Sequence, residues 1–294
     1  MSHIAVGVDE SAGAVSALPW AARYGEAHGL SLTAVLAGGF LDQHHALAVE
    51  GFDPSYEETY ALAALDAIVA RTLGTARGAS VERKVNCDLA APALLETSRG
   101  AGLLVVGARG LGGFKGLLLG SVSQHCLRHA TGPVAIVRHE GEPRQGGIEH
   151  IVVGIDGSDT ARRALEWALG EGRVHHATVE VVHAWAFPYT FGEFVAPVDL
   201  APPADAARLS LEETLASVDA SGLPGPVTRT VTSGEVVTVI VLVAKVADLV
   251  VVGSRGLGRF ERFALGSVSR RVVHHAPCPV VVVPPAAECQ PHRW

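Results

Sequence analysis

Two glycine-rich segments are the parts of this 294-residue chain best suited to hold an anion. The first reads Gly107-Ala-Arg-Gly110, continues for nine residues and then reaches Gly120-Ser121. Glycine lets a ligand approach the backbone closely, and it permits the positive φ that we expect at these turns. A Gly-Ser pair that opens a helix favours phosphate, because the first backbone N–H groups lack partners and carry partial positive charge, and serine hydroxyls add further donors.

The same pattern occurs again in the second half of the chain. Residues 253–269 repeat residues 107–123 with eleven of seventeen positions identical. The matching glycines and serine are Gly253, Gly256, Gly266 and Ser267. Because spacing kept in two copies is more than a simple turn requires, the repeat favours a functional loop. Arg109 and Arg255 lie inside these segments, where the arginine side chain either reaches a phosphate or lies in solvent.

An aspartate follows the first strand pattern in each half. Residues 3–11 recur as residues 150–158 with six of nine positions identical, and they contain Asp9 and Asp156. Open α/β sheets bind ligands beyond the carboxyl ends of their strands, near the point where the strand order switches. A carboxylate at that place is suited to bind a ribose hydroxyl or to hold Mg²⁺ against phosphates.

Two common nucleotide-binding motifs do not account for these segments. The sequence has no G-x-x-x-x-G-K-[ST] pattern, which excludes a P-loop. A dinucleotide fingerprint follows the first strand, whereas these glycines follow the fourth. Ser121 has no motif-linked base, so the sequence does not predict nucleophilic catalysis.

The elements that would position these residues alternate between strand and helix patterns. In the first half, apolar runs predict strands at residues 4–8, 30–37, 81–86, 103–106 and 134–137. Helix patterns lie between them, at residues 12–28 with Ser11 as the cap, and at 57–75, 92–99 and 121–129. This alternation indicates βαβ units around a parallel sheet. Continuous apolar runs such as residues 249–252 fit strands that are covered on both faces.

One segment is ambiguous by its residue types. Residues 236–243 are mostly β-branched, and propensity alone favours a strand. Its counterpart at residues 93–98 reads Ala-Leu-Leu-Glu-Thr-Ser, which favours a helix. We follow the repeat and predict a helix.

Composition places the chain among folded proteins with two domains, at residues 1–140 and 148–286, joined by a polar segment rich in Gly and Pro. The net charge of -7 without blocks of like charge argues against nucleic-acid binding. No apolar run is long enough to span a membrane. The four cysteines form no C-x-x-C pair and the N-terminus does not resemble a signal peptide, so we expect a cytoplasmic protein.

The aspartate after the first strand, the G-2x-G-9x-G-S spacing and the closing Pro-Val strand together resemble the universal stress protein family, over nearly all of both halves. The resemblance implies an α/β fold with two tandem doubly wound (Rossmann-like) domains. Each would be a five-stranded, mainly parallel sheet of order 3-2-1-4-5 with helices on both faces. It also implies that the strands at residues 134–137 and 280–283 pair within the chain.

By this resemblance each half holds ATP, together with Mg²⁺, in the crevice of its sheet, with Asp9 and Asp156 contacting the ribose or the metal and the backbone of Ala37 or Ala184 at the adenine. The residues expected around the first nucleotide are Gly7, Asp9, Ala37, Gly107, Arg109, Gly110, Gly120, Ser121, Val122 and Ser123. Those around the second are Gly154, Asp156, Ala184, Gly253, Arg255, Gly256, Gly266, Ser267, Val268 and Ser269.

The resemblance further implies an ATP-binding stress-response or regulatory protein, in which the bound nucleotide is a signal and not the substrate of a fast enzyme. Two alternatives stay open: a slow metal-dependent ATPase, and an interaction module with one vestigial nucleotide site. The resemblance is also compatible with a homodimer and with a protein partner of unknown identity. The two sites should differ, because His183 replaces Leu36 before the adenine position. The second loop also has Arg259, Glu261 and Arg262 in place of Gly113, Lys115 and Gly116.

Overall fold

The computed structural model describes residues 3–37, 54–86, 89–110, 119–138, 147–185, 201–257 and 265–286. The chain separates into two compact units, Met1–Gln145 and Gly146–Trp294, which are described in turn.

The first unit alternates strands with helices along its described residues. Its strands are β1 (His3–Gly7), β2 (Ser31–Ala37), β3 (Glu82–Asn86), β4 (Leu103–Gly107) and β5 (Val134–Val137). Its helices are α1 (Ala12–His28), α2 (Pro54–Leu73), the short α3 (Thr75–Gly78), α4 (Ala90–Thr97) and α5 (Ser121–His129).

The second unit repeats this order. Its strands are β6 (His150–Gly154), β7 (Thr178–Trp185), β8 (Thr228–Ser233), β9 (Leu249–Gly253) and β10 (Val280–Val283). Its helices are α6 (Asp159–His175), α7 (Ala201–Ala216), α8 (Val236–Val243) and α9 (Ser267–His275).

The strand order is β3-β2-β1-β4-β5 in the first unit and β8-β7-β6-β9-β10 in the second. Neighbouring strands within each unit are parallel. In the first unit α1 packs with α2, and α4 packs with α5, against the sheet. The doubly wound α/β fold of order 3-2-1-4-5 is therefore confirmed. The order switches beside β1 and β6, which places the carboxyl ends of β1 and β4, or of β6 and β9, around one crevice.

The central strands are buried because helices cover the sheet. All four residues from Leu103 to Val106 are inaccessible or nearly so, as are those from Leu249 to Val252. This explains why these strands are continuously apolar instead of alternating. Trp20 on α1 is buried, as are Cys126 and Cys278, which form no disulfide among the described residues. Burial raises the pKa of the Cys126 thiol to about 12.

The segment at Val236–Val243 is a helix, as the repeat predicted. The carboxylate of Glu235 caps it by accepting hydrogen bonds from the backbone N–H of Thr238 at 2.8 Å and from the Thr238 hydroxyl at 2.7 Å. Val237 and Ile240, three residues apart, are its buried side chains. A polar cap and one buried face therefore outweigh the strand propensity of the β-branched residues.

The first helix of each unit ends in a left-handed residue. Gly29 follows α1 with φ 62°, and His176 follows α6 with φ 53°. His176 is the only residue other than glycine with positive φ among the described residues. Within the described part of the chain, no helix is both long and apolar enough to cross a membrane.

Candidate functional site

Asp9 lies between the end of β1 and the loop that follows β4. Its Oδ1 atom accepts a hydrogen bond from the Ser11 backbone N–H at 3.0 Å, and the Ser11 hydroxyl donates to the same oxygen. Its Oδ2 atom lies against Gly110, where an added Cβ would be only 2.7 Å from that oxygen. The carboxylate therefore occupies the space that a side chain at position 110 would need.

The loop after β4 rests directly on the first turn of α1. A Cβ on Gly107 would lie 2.6 Å from the carbonyl carbon of Gly13 and 2.9 Å from its Cα. A Cβ on Gly13 would overlap the carbonyl oxygen of Arg109, which also accepts a bond from the Ser11 hydroxyl at 3.2 Å. Two glycines are needed here because backbone packs against backbone.

The far end of the loop returns to the end of β4 and opens α5. The Gly120 N–H donates to the Ala108 carbonyl at 2.8 Å, and the Ser123 hydroxyl donates to the Gly107 carbonyl at 2.7 Å. Among the residues that the structure describes, no side chain caps α5 at Gly120, so the first N–H groups of the helix keep their capacity for a ligand. Ser121 is exposed at this position.

The second unit builds the same arrangement around Asp156. Its Oδ1 accepts the Ser158 N–H at 3.0 Å, and its Oδ2 accepts the Leu257 N–H at 3.2 Å. A Cβ on Gly256 would overlap Oδ2. The Ser269 hydroxyl donates to the Gly253 carbonyl at 2.6 Å, which closes the second loop as Ser123 closes the first.

The two units hold the loop carbonyl by different donors. Thr160 stands where the first unit has Gly13, and its hydroxyl donates to the Arg255 carbonyl at 2.5 Å. A Cβ on Gly253 would lie 2.8 Å from the carbonyl carbon of Thr160. The close approach of loop and helix is thus kept with a different residue.

A second difference lies at the end of the second strand. Leu36 is buried in β2, and β7 carries His183 at that position. Burial lowers the pKa of His183, and the negative charge of Asp156 opposes this effect. The His183 Nδ1 atom is buried and has no hydrogen-bond partner within the described parts of the chain.

The roles expected of the loop glycines and the motif serines need correction. None of the six loop glycines has positive φ; Gly120 has -74° and Gly266 has -58°. The expectation of positive φ was wrong. The first glycine of each loop lets backbone approach backbone, and the second makes room for an aspartate oxygen. The buried hydroxyls of Ser123 and Ser269 donate to backbone carbonyls, so among the motif serines the exposed Ser121 and Ser267 keep hydroxyl protons for a ligand.

Gly7 and Gly154, which end the first strand of each unit, are glycines because helix side chains pack against them. A Cβ on Gly7 would lie 3.1 Å from a methyl carbon of Leu94 on α4. A Cβ on Gly154 would lie 2.8 Å from a methyl carbon of Ile240 on α8. Their lack of a side chain therefore serves packing between sheet and helix.

The remaining expected residues lie near the crevice. Val122 and Val268 are half-buried second residues of α5 and α9. Ala37 and Ala184 lie at the ends of β2 and β7, in register with Asn86 and Thr232. Arg109 is exposed and Arg255 half-buried. The charge differences expected at positions 113–116 and 259–262 lie outside the described residues.

Sequence reasoning did not single out Gly13, Thr160 or the serine caps as parts of the site. The signal for the caps is the Asp-x-Ser spacing that both halves share, which places a hydroxyl two residues after the carboxylate. Gly13 and Thr160 carry no such signal, because they differ and meet the loop only in the fold.

The assembled site is a helix N-terminus, a backbone loop and a carboxylate at one end of the sheet. The free N–H groups suit a phosphate, and the carboxylate suits a hydroxyl group or a hard cation. A carboxylate has about four lone-pair positions. The two N–H groups that donate to Asp156 therefore leave lone pairs with which the carboxylate can coordinate a cation.

Comparisons with known proteins show which family the chain belongs to. A sequence model described as the universal stress protein family matches residues 1–138 and again residues 147–284. A universal stress protein of Mycolicibacterium smegmatis is 31% identical over 296 residues, covering 96% of this chain and 97% of that protein. One from Mycobacterium tuberculosis is 32% identical over 297 residues, covering 95% and 94%.

A solved structure agrees with the fold. The crystal structure of a universal stress protein from Archaeoglobus fulgidus matches with a TM-score of 0.64 at 20% identity, covering 97% of each chain. The two family matches, each over a unit that carries its own aspartate and glycine loop, lead to one conclusion: the chain belongs to the universal stress protein family, with one family domain in each half.

Proposed function

We propose that each unit binds an adenine nucleotide, with ATP as the leading candidate, between its aspartate and its glycine loop. The bound nucleotide acts as a signal in a stress response and is not turned over rapidly. Family membership and the phosphate-suited geometry of both loops support this proposal. A cytoplasmic location fits the two described cysteines, which are buried and form no disulfide with described residues.

The observation that carries the proposal is Gly120. Its φ of -74° is open to any residue, so its dihedral angle does not require glycine. The nearest atoms among the described residues are 3.6 Å from an added Cβ, so their packing does not require glycine either. Glycine is favoured over alanine as an N-cap, and a ligand that approaches the backbone at the start of α5 gives a further reason for a glycine at this position.

Mg²⁺ fits the same site. Asp9 and Asp156 would hold it as oxygen ligands, and the ion would supply positive charge against the phosphates. The exposed hydroxyls of Ser121 and Ser267 stand at the helix starts, where they donate to the phosphate oxygens.

Slow hydrolysis of ATP is a second candidate, because a phosphoryl transfer depends mainly on positioning and charge. The aspartates supply the metal site that such an enzyme needs. The third candidate, one vestigial site, is favoured by the exchange of Leu36 for His183 and of Gly13 for Thr160. Steady phosphate release that disappears in Asp9→Ala and Asp156→Ala, with folding intact, would establish the enzyme.

The direct test is the nucleotide that the protein carries. Protein purified without added nucleotide is denatured, and the supernatant is separated by liquid chromatography against adenine and guanine standards. Calorimetric titration with ATP then gives the affinity and the number of sites. We expect adenine nucleotide in the supernatant or two ATP sites per chain.

Gly120→Ala and Gly266→Ala, made separately, assign the sites to the units. Each variant should lose one site and keep the other. If the wild-type chain binds only one ATP, the unit that does not bind is vestigial. Absence of both co-purified nucleotide and ATP binding would refute the proposal.

A further inference from the structure

The aspartate and the second loop glycine form a matched pair in both units. Oδ2 of Asp156 lies where a side chain on Gly256 would be, and Oδ2 of Asp9 lies against Gly110 in the same way. In the second unit the same oxygen also accepts the Leu257 N–H. The carboxylate is thus in contact with the loop that we assign to phosphate.

This contact is hard to explain by attraction between the aspartate and a nucleotide. A carboxylate near a phosphate site repels the phosphate, because the two groups carry like charge. Removing the negative charge should therefore strengthen binding of a bare polyphosphate. It would weaken that binding only if the carboxylate does something else for the loop.

We propose that Asp9 and Asp156 are positioning residues, which fix the glycine loop in its phosphate-binding conformation before any ligand arrives. The inference rests on the proposed function and deepens it. The aspartate's effect on nucleotide binding then reaches the phosphates through the loop backbone, in addition to any direct contact with ribose or metal.

The geometry explains why position 256 is glycine and position 156 is aspartate. Asp156 bonds Ser158 with one oxygen and Leu257 with the other, so it ties the first turn before α6 to the loop after β9. A side chain at position 256 would push Oδ2 away and break the bond to Leu257. Asparagine keeps the shape and one acceptor oxygen, whereas alanine keeps neither.

The experiment uses inorganic tripolyphosphate, which has no ribose or base, in a buffer with a chelator so that no metal bridges it to the carboxylate. Calorimetry compares the full-length wild type with Asp156→Ala, Asp156→Asn and Gly256→Ala. Asp159→Ala is the matched control, because it removes an exposed negative charge at the first residue of α6 without touching the loop. Circular dichroism establishes that each variant is folded.

We expect Asp156→Ala to weaken tripolyphosphate binding at the second site at least tenfold, although a negative charge is lost. Asp156→Asn should recover part of that loss. Gly256→Ala should resemble Asp156→Ala, and combining the two should weaken binding no further than either alone. Asp159→Ala should bind as the wild type does or slightly better. Amide exchange at Leu257 should be faster in Asp156→Ala without ligand.

Other outcomes separate this inference from the proposed function. If Asp156→Ala binds tripolyphosphate as tightly as the wild type while ATP binding weakens, the aspartate acts by direct contact and the inference is overturned. If the wild type binds ATP but not tripolyphosphate, the inference is also overturned. If it binds neither, the proposed function itself fails. Should Asp156→Ala not fold, Asp156→Asn and Gly256→Ala decide the matter by the same comparison.

Discussion

An added methyl group should have a different effect at each end of the first glycine loop. At Gly107 it should lower the stability of the protein, and at Gly120 it should mainly lower its affinity for ATP. In Gly107→Ala the new Cβ would be 2.6 Å from a backbone carbon of Gly13, about 1 Å inside ordinary contact. Neither backbone can move freely, so we expect the free energy of unfolding to fall by about 3 kcal/mol, the upper end of the usual range for overpacking. For a unit of this size, that lowers Tm by about 6–12 °C.

In Gly120→Ala the nearest atoms of the described residues are 3.6 Å from the new Cβ, and the φ of -74° suits alanine. Alanine is a weaker N-cap than glycine, which costs up to about 1 kcal/mol of stability. The methyl group would, however, stand between the start of α5 and the proposed phosphate. We therefore expect ATP affinity to fall at least about tenfold, which equals about 1.4 kcal/mol.

The assay combines urea unfolding followed by circular dichroism with calorimetric titration of ATP. Gly132→Ala is the control, because its Cβ would meet nothing nearer than 3.8 Å and it lies outside the site. It should change neither stability nor affinity by much. A Gly107→Ala protein as stable as wild type would refute the packing argument. A Gly120→Ala protein with normal ATP affinity at both sites would refute the assignment of the helix start to the ligand.

Three further predictions concern single residues. His176→Gly should raise the free energy of unfolding by about 1 kcal/mol in urea, because it relieves a left-handed φ of 53°; a loss of stability would contradict this. Hydrogen bonds from the Thr238 hydroxyl and N–H hold the pKa of Glu235 below its ordinary 4.5. The wild type should therefore have a higher Tm than Glu235→Gln above that pH, and the difference should disappear as the pH falls through the lowered pKa. A Tm difference between the wild type and Glu235→Gln that grows in acid would contradict this prediction. Cys126, with a pKa of about 12, should resist iodoacetamide at pH 8 until the protein unfolds, as peptide mapping would show.

Periodicity and duplication predicted the α/β class, the parallel sheet and the two domains, and the family resemblance supplied the strand order. The alternation of apolar runs with helix patterns predicted a parallel sheet, and the structure has parallel strands throughout each unit. Duplication also corrected propensity at Val236–Val243, where the apolar residues alone favour a strand. Local patterns succeed here because each element depends mainly on its own residues and on one buried face.

The roles of individual site residues were harder to predict from the sequence. A glycine needed for positive φ looks the same in sequence as one needed for close approach, and Gly107 and Gly110 proved to be the second kind. Ser123 was expected beside the phosphates, yet its hydroxyl bonds a carbonyl sixteen positions away. Contacts between distant residues, such as Gly13 with Gly107, exist only after folding.

The exchange of Gly13 for Thr160 has a consequence for the history of the duplicated chain. A threonine at position 13 would collide with the Arg109 carbonyl, and a glycine at position 160 would remove the hydroxyl that holds the Arg255 carbonyl. Recombination that copied only the helix start, or only the loop, from one half into the other would therefore produce a mismatched protein. The helix start of one half is therefore no longer compatible with the glycine loop of the other. A chimera between the halves must take its helix start and its loop from the same half.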